Sequence, residues 1–419
     1  MKSIKKSGNF IIMDLLLLVY FITLIYPPIS AIFNPLIIRL ACMAGWICIS
    51  FLNKRSFYAK GSIHVTYVII FYAATVIIPY MLSETTIGNR YLALGMIPMG
   101  YFIFCYYKEC GRLKDLRSLF LITTIFIILT YFDTLNALID NPYTSRSIKS
   151  SGDYSNQLAA DGIGGYSFVY FMVVVSVLLL YSFLKSRNRW LKILTLTGFI
   201  MALYFILKSN YTTALITALI SVSTLIMLNY AKKGIGNNIL LFFILIAFYG
   251  IIMNLNAIIE SLSYIIPSRI AQAVVPEQNE SVFQSVADEF LSARWPSMLK
   301  SINAFLNAPL LGLVGSGELE YSNGYLQGFG QHSHILDTFA LLGGLFGIVN
   351  IFVVLRPLKD NKGKWITYGK PINIAMLICM IGIYFFNNAT ESIALAFGIM
   401  FPLLREHYEC GGIKSDKEC

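Results

Sequence analysis

Charge is scarce in this 419-residue chain, with only 13% of residues being Asp, Glu, Lys or Arg, against about 25% in a soluble globular domain. That shortage excludes a soluble fold as the main architecture. Histidines number four and cysteines seven, and no two cysteines stand in CxxC spacing. A zinc site or redox dithiol of the usual form is therefore not encoded, and no disulfide framework is expected. No Asp-x-Asp occurs, and the nearest approach, Glu318-Leu319-Glu320, reads as solvated surface. The chain also lacks a repeat of 20–50 residues and any low-complexity tract, which removes solenoids and linkers from consideration.

What is present is apolar: 57% of residues are hydrophobic and 14% aromatic, with a mean hydropathy of +0.67. Each membrane span needs about 20 mostly apolar residues, so length is counted in spans. Apolar runs bounded by charges or turn residues predict twelve helices, at 10–26, 31–52, 63–82, 90–107, 116–133, 165–184, 191–207, 211–230, 237–257, 333–355, 371–387 and 391–404. The basic start, MKSIKKSG, leads straight into the first run without a small-residue cleavage site and reads as the first span, not a signal peptide. The expected fold is an all-α integral membrane protein, one polytopic domain over 1–419 with about twelve transmembrane helices. Two long loops join them, at 134–164 and 258–331, and the larger has room for short amphipathic helices, one candidate being SVFQSVADEFLSARW.

The net charge of +10 would suggest nucleic acid in a soluble protein. In a membrane protein Lys and Arg collect instead in cytoplasmic loops. With the N-terminus inside, all but eight of the 32 Lys and Arg fall in inner segments. The eight are Arg39, Arg90, Arg146, Lys149, Lys208, Arg269, Arg294 and Lys300. That asymmetry predicts both termini in the cytoplasm and both long loops on the outer, periplasmic face, with no nucleic-acid partner.

Two sets of residues stand out for chemistry. His332 and His334 lie where the larger loop enters the tenth span, while His64 and His407 fall at the inner edge. Imidazole is suited to proton transfer near neutral pH, although a histidine at a span mouth also serves as a plain interfacial group. Their i, i+2 spacing points them to different sides of a helix and argues against a shared metal. The second set is the outer cations. A positive charge at membrane depth is costly, about 2.5–3.5 kcal/mol on insertion scales. That singles out Arg39, some eight residues into the second span, unless it snorkels to the surface. Arg90 and Lys208 sit at span ends, where interfacial anchoring explains them equally well. With the loop residues Arg146, Arg269 and Arg294 these cations are placed to form a basic vestibule, and guanidinium groups suit bidentate contact with phosphate oxygens.

The run RWPSMLKSINAFLNAPLLGLVGSG followed by GQHSHILDTFALLGGLFG, Arg294 to Gly347, resembles the signature of the O-antigen polymerase and ligase superfamily of Wzy-like proteins. That signature has an Arg, an Asn-x-Pro-Leu-x-Gly turn, then a His with Leu four and Gly eleven residues later. Here these are Arg294, Asn307 to Gly312, His332, Leu336 and Gly343. DGIGGYSFVY from Asp161, the Arg146-x15-Gly162 spacing and the turn KSNYTTAL are similar to further family segments. Lys208 stands there where an arginine is usual, and Gly344 and Gly347 flank the place, Phe346, of the family's last glycine. Asn387, Asn388 and Glu391 at the final outer turn also look family-like.

The resemblance implies a membrane glycosyltransferase without metal or other cofactor. It would act on undecaprenyl-pyrophosphate-linked oligosaccharide in the bacterial inner membrane, with membrane lipid, a chain-length regulator and a flippase as partners. His332 would be the base. Arg294, with Arg146 or Arg39, would hold the pyrophosphates, and Arg269, His334, Lys208 and Arg90 would contribute to substrate binding. A polymerase of O-antigen repeats fits first, a ligase to lipid A core second, and a flippase or other transporter of the same lipid-linked sugar third.

Overall fold

The computed structural model describes residues 8–32, 35–59, 96–141, 144–148, 153–231, 295–316, 321–322, 325–326, 328–330, 332–358, 371–387 and 391–410. The expected spans 63–82 and 237–257 lie outside them, as does nearly all of the candidate amphipathic stretch SVFQSVADEFLSARW.

The described chain is all-helical apart from one two-residue antiparallel ladder, Tyr321–Ser322 with Tyr325–Leu326. In chain order the helices are α1 (Gly8–Ile25), α2 (Pro28–Ile32), α3 (Pro35–Asn53), α4 (Arg55–Ala59), α5 (Met96–Glu109), α6 (Leu113–Asp140), α7 (Thr144–Ser147), α8 (Asp153–Ala160), α9 (Tyr166–Lys185), α10 (Arg189–Lys208), α11 (Thr212–Ala231), α12 (Trp295–Asn307), α13 (Gly312–Ser316), α14 (His334–Val354), α15 (Pro371–Phe386), α16 (Glu391–Leu395) and α17 (Phe401–Cys410). Six of these helices, α1, α6, α9, α10, α11 and α14, are long and apolar enough to cross a membrane, and α3 and α15 are shorter apolar helices. The protein is thus a helical membrane protein.

Helix ends depart from the apolar runs where polarity stops a hydropathy signal without stopping a helix. The fifth run ends at 133, yet α6 continues through Asp133, Thr134 and Asn136 to Asp140. The next breaker is Asn141-Pro142, and a residue before proline is pushed out of the helical region. The first turns of the expected loop 134–164 are consequently helical, and the rest of it carries α7 and α8. The last run extends likewise to Cys410, through a π-helical turn at Ala396–Met400.

Burial separates the centre of the bundle from its rim. In α9, 78% of the most apolar window is buried inside the protein, against 22% in α10. The rim carries bare apolar side chains, among them Leu121 of α6 at 69% exposure and Leu194 of α10 at 68%. A soluble monomer rarely leaves contiguous surface of this kind bare, whereas lipid covers it. Small residues let backbones close in: a Cβ on Gly100 of α5 would stand 2.9 Å from the Ala394 carbonyl oxygen and 3.4 Å from Gly398 Cα, the close approach typical of membrane helices.

The bundle has two chemically different ends. At the first, Asp14 of α1 accepts from the Tyr107 hydroxyl at 2.6 Å and pairs with Arg112 at 2.7 Å, and Arg112 also pairs with Asp115 at 2.7 Å. Burial works against the Arg112 charge, but the two carboxylates more than offset it and raise its pKa. Lys108 pairs with Glu406 at 2.7 Å, and the Arg405 guanidinium donates to the Pro357 carbonyl at 2.9 Å. The second end holds the start of α14 and the motif segments.

Candidate functional site

The second end is assembled from segments far apart in sequence. Gly164 N–H, in the glycine-rich entry to α9, donates to the Thr134 hydroxyl at 2.7 Å, and Gly162 at φ +83° sits against the Asp133 carboxylate. From α16, the Ser392 hydroxyl donates to the Leu24 carbonyl at 2.8 Å, while its N–H donates to the Ser167 hydroxyl at 3.0 Å. The turn after α10 holds Asn210 at φ +54° and turns Tyr211 onto Tyr166, ring centroids 5.3 Å apart. Tyr170, stacked obliquely under Tyr166 at 4.9 Å, shares a 2.6 Å hydrogen bond with Thr213.

Asn387 joins these segments to the histidines. Its side-chain oxygen accepts from the Tyr166 hydroxyl, and its backbone carbonyl accepts from His334 N–H at 3.1 Å. Ser333 caps α14, its hydroxyl oxygen accepting from Leu336 N–H at 3.2 Å and donating to the Tyr384 carbonyl at 3.4 Å. A side-chain N-cap of this kind stabilises a helix start by about 1 kcal/mol. The two histidines separate sharply. His334 is 4% exposed, with its ring stacked on Tyr384 at 4.4 Å, whereas His332 is exposed at the mouth of α14. Among the described residues, the Tyr384 hydroxyl and the Asn387 amide nitrogen are buried without a hydrogen-bond partner, which is uncommon for buried polar groups.

A second bridge ties the chain after Arg294 to the chain before His332. The Ser301 hydroxyl of α12 donates to the buried Asp337 carboxylate of α14 at 2.6 Å, and its oxygen accepts from Gly330 N–H at 2.9 Å. Gly330 lies so close to Ser297 that an added Cβ would fall on the Ser297 carbonyl. The start of α12, one residue after Arg294, is thereby held beside the residue two before His332.

The predicted site residues divide as follows. His332 and His334 occupy the mouth of α14. Lys208 ends α10, its ammonium 5.8 Å from the centre of the Tyr204 ring. Arg39, 7% exposed, donates to the Thr23 carbonyl in the last turn of α1 at 2.6 Å. A cation at a helix C-terminus is favourable, and this contact gives Arg39 a structural occupation that depth alone did not suggest. Arg146 lies in α7. Arg90, Arg269 and Arg294 lie outside the described residues. Among the described residues no three His, Cys, Asp or Glu side chains are grouped as a metal ion would need.

Sequence reasoning passed over Tyr166, Tyr384, Ser301 and Asp337. The available signal was an acid and a hydroxyl on otherwise apolar helix faces, as in Asp337 within HILDTFALL. The chain matches no protein-family model and no curated protein sequence.

Proposed function

We propose that this chain is a polymerase of undecaprenyl-pyrophosphate-linked O-antigen repeats, a twelve-span inner-membrane glycosyltransferase with both termini in the cytoplasm and its working end at the periplasmic face. The observation that carries the reading is the Ser301 bridge, in which one hydroxyl bonds both Gly330 N–H and Asp337. It joins the arginine-bearing and histidine-bearing halves of the signature into one unit.

Glycosyl transfer from a polyprenyl pyrophosphate needs a base at the acceptor hydroxyl and fixed positive charge at the leaving group. His332, exposed beside a capped helix start, is the base: its imidazole takes the proton as the acceptor oxygen bonds to the donor's anomeric carbon. The carbon–oxygen bond to pyrophosphate breaks, and the carrier leaves as undecaprenyl pyrophosphate. Arg294, one residue before α12 in sequence, and Arg146 are the cations assigned to the pyrophosphates. His334 is too enclosed for proton transfer with a sugar hydroxyl and serves instead to set the helix mouth. The orphaned Asn387 amide and Tyr384 hydroxyl offer donors to a polar ligand there.

His332→Ala in a strain lacking the native gene tests the assignment, with membrane abundance checked by immunoblot and lipopolysaccharide resolved on a gel. Collapse of the ladder to core plus one repeat supports polymerisation through His332. Bare core indicates a ligase, and a full ladder removes His332 from the mechanism.

A further inference from the structure

We infer that Trp295–Ser316 is a re-entrant helical hairpin, one face of which contacts bilayer acyl chains while an adjoining face lines an aqueous vestibule.

The path of the chain carries this. Helix α12 runs parallel to α14: Ser301 bonds Asp337, Phe305 packs on Phe339 with centroids 5.6 Å apart, and the Pro309 carbonyl accepts from Gly344 N–H at 2.7 Å. Leu345 N–H then donates to the Leu310 carbonyl at 3.4 Å. Leu345 lies 11 residues into α14, at most about 16 Å below its start at the helical rise. The 21 residues of α14 span at most about 31 Å, close to the ~30 Å hydrocarbon thickness. The tip of the hairpin therefore reaches about half-way across. Beyond the tip the chain turns back: Leu310 meets Leu345, whereas Gly312 already lies against Leu341, and Leu313 packs beside Gly328.

Irregular backbone survives at that depth only where its polar groups are satisfied by protein or by water in a cavity. Here two irregularities satisfy each other. Helix α14 breaks at Gly343 (φ 66°, ψ −173°), and the N–H groups just after the break are those that bond the carbonyls of the hairpin tip.

The surface of α12 carries three faces. Met298, Ser301 and Ala304 are buried against the protein. Trp295, Leu299 and Leu306 are exposed along one stripe, continued at the tip by Leu310 at 67% exposure and on α14 by Leu345 at 57%. About 100° round the helix, at 100° per residue, stand Lys300, Asn303 and Asn307, also exposed. Acyl chains fit the first exposed stripe, which is continuous with the lipid-facing side of α14. Water fits the second.

Single cysteines in open membrane fragments test this with a membrane-impermeant maleimide, the unsubstituted chain setting the background and Asp161→Cys, an exposed position, setting the fast rate. Asn307→Cys is expected to label within about threefold of Asp161→Cys, and the adjacent Leu306→Cys at least tenfold more slowly. Leu310→Cys, or Leu311→Cys should the former fail to insert, is expected to match Leu345→Cys, and a spin label there to relax with oxygen in preference to an aqueous nickel chelate. Uniform labelling along 306–311 places the segment in water and overturns the hairpin. Uniform protection overturns the vestibule face.

Discussion

Gly312 and Gly343 meet at one backbone crossing, each set against the carbonyl of the residue two before the other. A Cβ on Gly312 would fall on the Leu341 carbonyl, and one on Gly343 on the Leu310 carbonyl. Both residues have positive φ, +67° and +66°, where a side chain costs roughly 1–3 kcal/mol before any clash. Gly312→Ala or Gly343→Ala alone is expected to lower thermal stability in detergent clearly, and the double variant by less than the sum, because the first substitution already opens the crossing. Simple additivity in unfolding followed by tryptophan fluorescence would show that the two glycines do not share a contact.

The buried pair at the other end answers to charge. The Asp14 and Arg112 side chains are 12% and 13% exposed, and removing one partner of a buried pair costs about 3–5 kcal/mol. Asp14→Leu and Arg112→Leu are each expected to reduce folded yield severely. The double leucine variant should recover most of it, and size-exclusion profiles of the three variants check this.

Histidine substitutions separate structure from chemistry. His334→Ala deletes a buried ring stacked on Tyr384 and is expected to cost about 3 kcal/mol, seen as a lower melting temperature. On the proposed function, His332→Ala is expected to leave that temperature within a degree and to abolish the polysaccharide ladder. Equal melting temperatures for the two variants would contradict the difference in burial.

Tyr166→Phe strands the Asn387 side-chain oxygen, and an unsatisfied buried acceptor costs about 1–3 kcal/mol. The expected outcome is a shortened ladder at near-normal abundance. Unchanged ladders in Tyr166→Phe would show that this bond does not set the mouth of α14.

Much of the fold is legible because lipid imposes it. Apolar runs found α1, α9, α10, α11 and α14 to within two residues at each end, and the start of α6 to within three, since each crossing must be long and nearly uncharged. The histidine pair at the start of α14 was also visible as sequence. Helix ends were not, because a hydropathy run stops at the first polar residue, whereas α6 stops only at Asn141-Pro142. The hairpin was invisible for a related reason: the 13 residues of α12 are too few for a span and too polar on one face to read as one.

By itself, then, the sequence determined that the chain lives in lipid and which residue types stand near the mouth of α14, because composition and period act locally. Tertiary structure alone decided which histidine is buried, that Arg39 is engaged by the end of α1, that Asn387 joins three segments, and that Gly312 and Gly343 lock a hairpin into a broken helix. Those outcomes depend on which backbone groups meet across hundreds of residues, and the energy of a hydrogen bond or a close glycine crossing belongs to the pair, not to either residue.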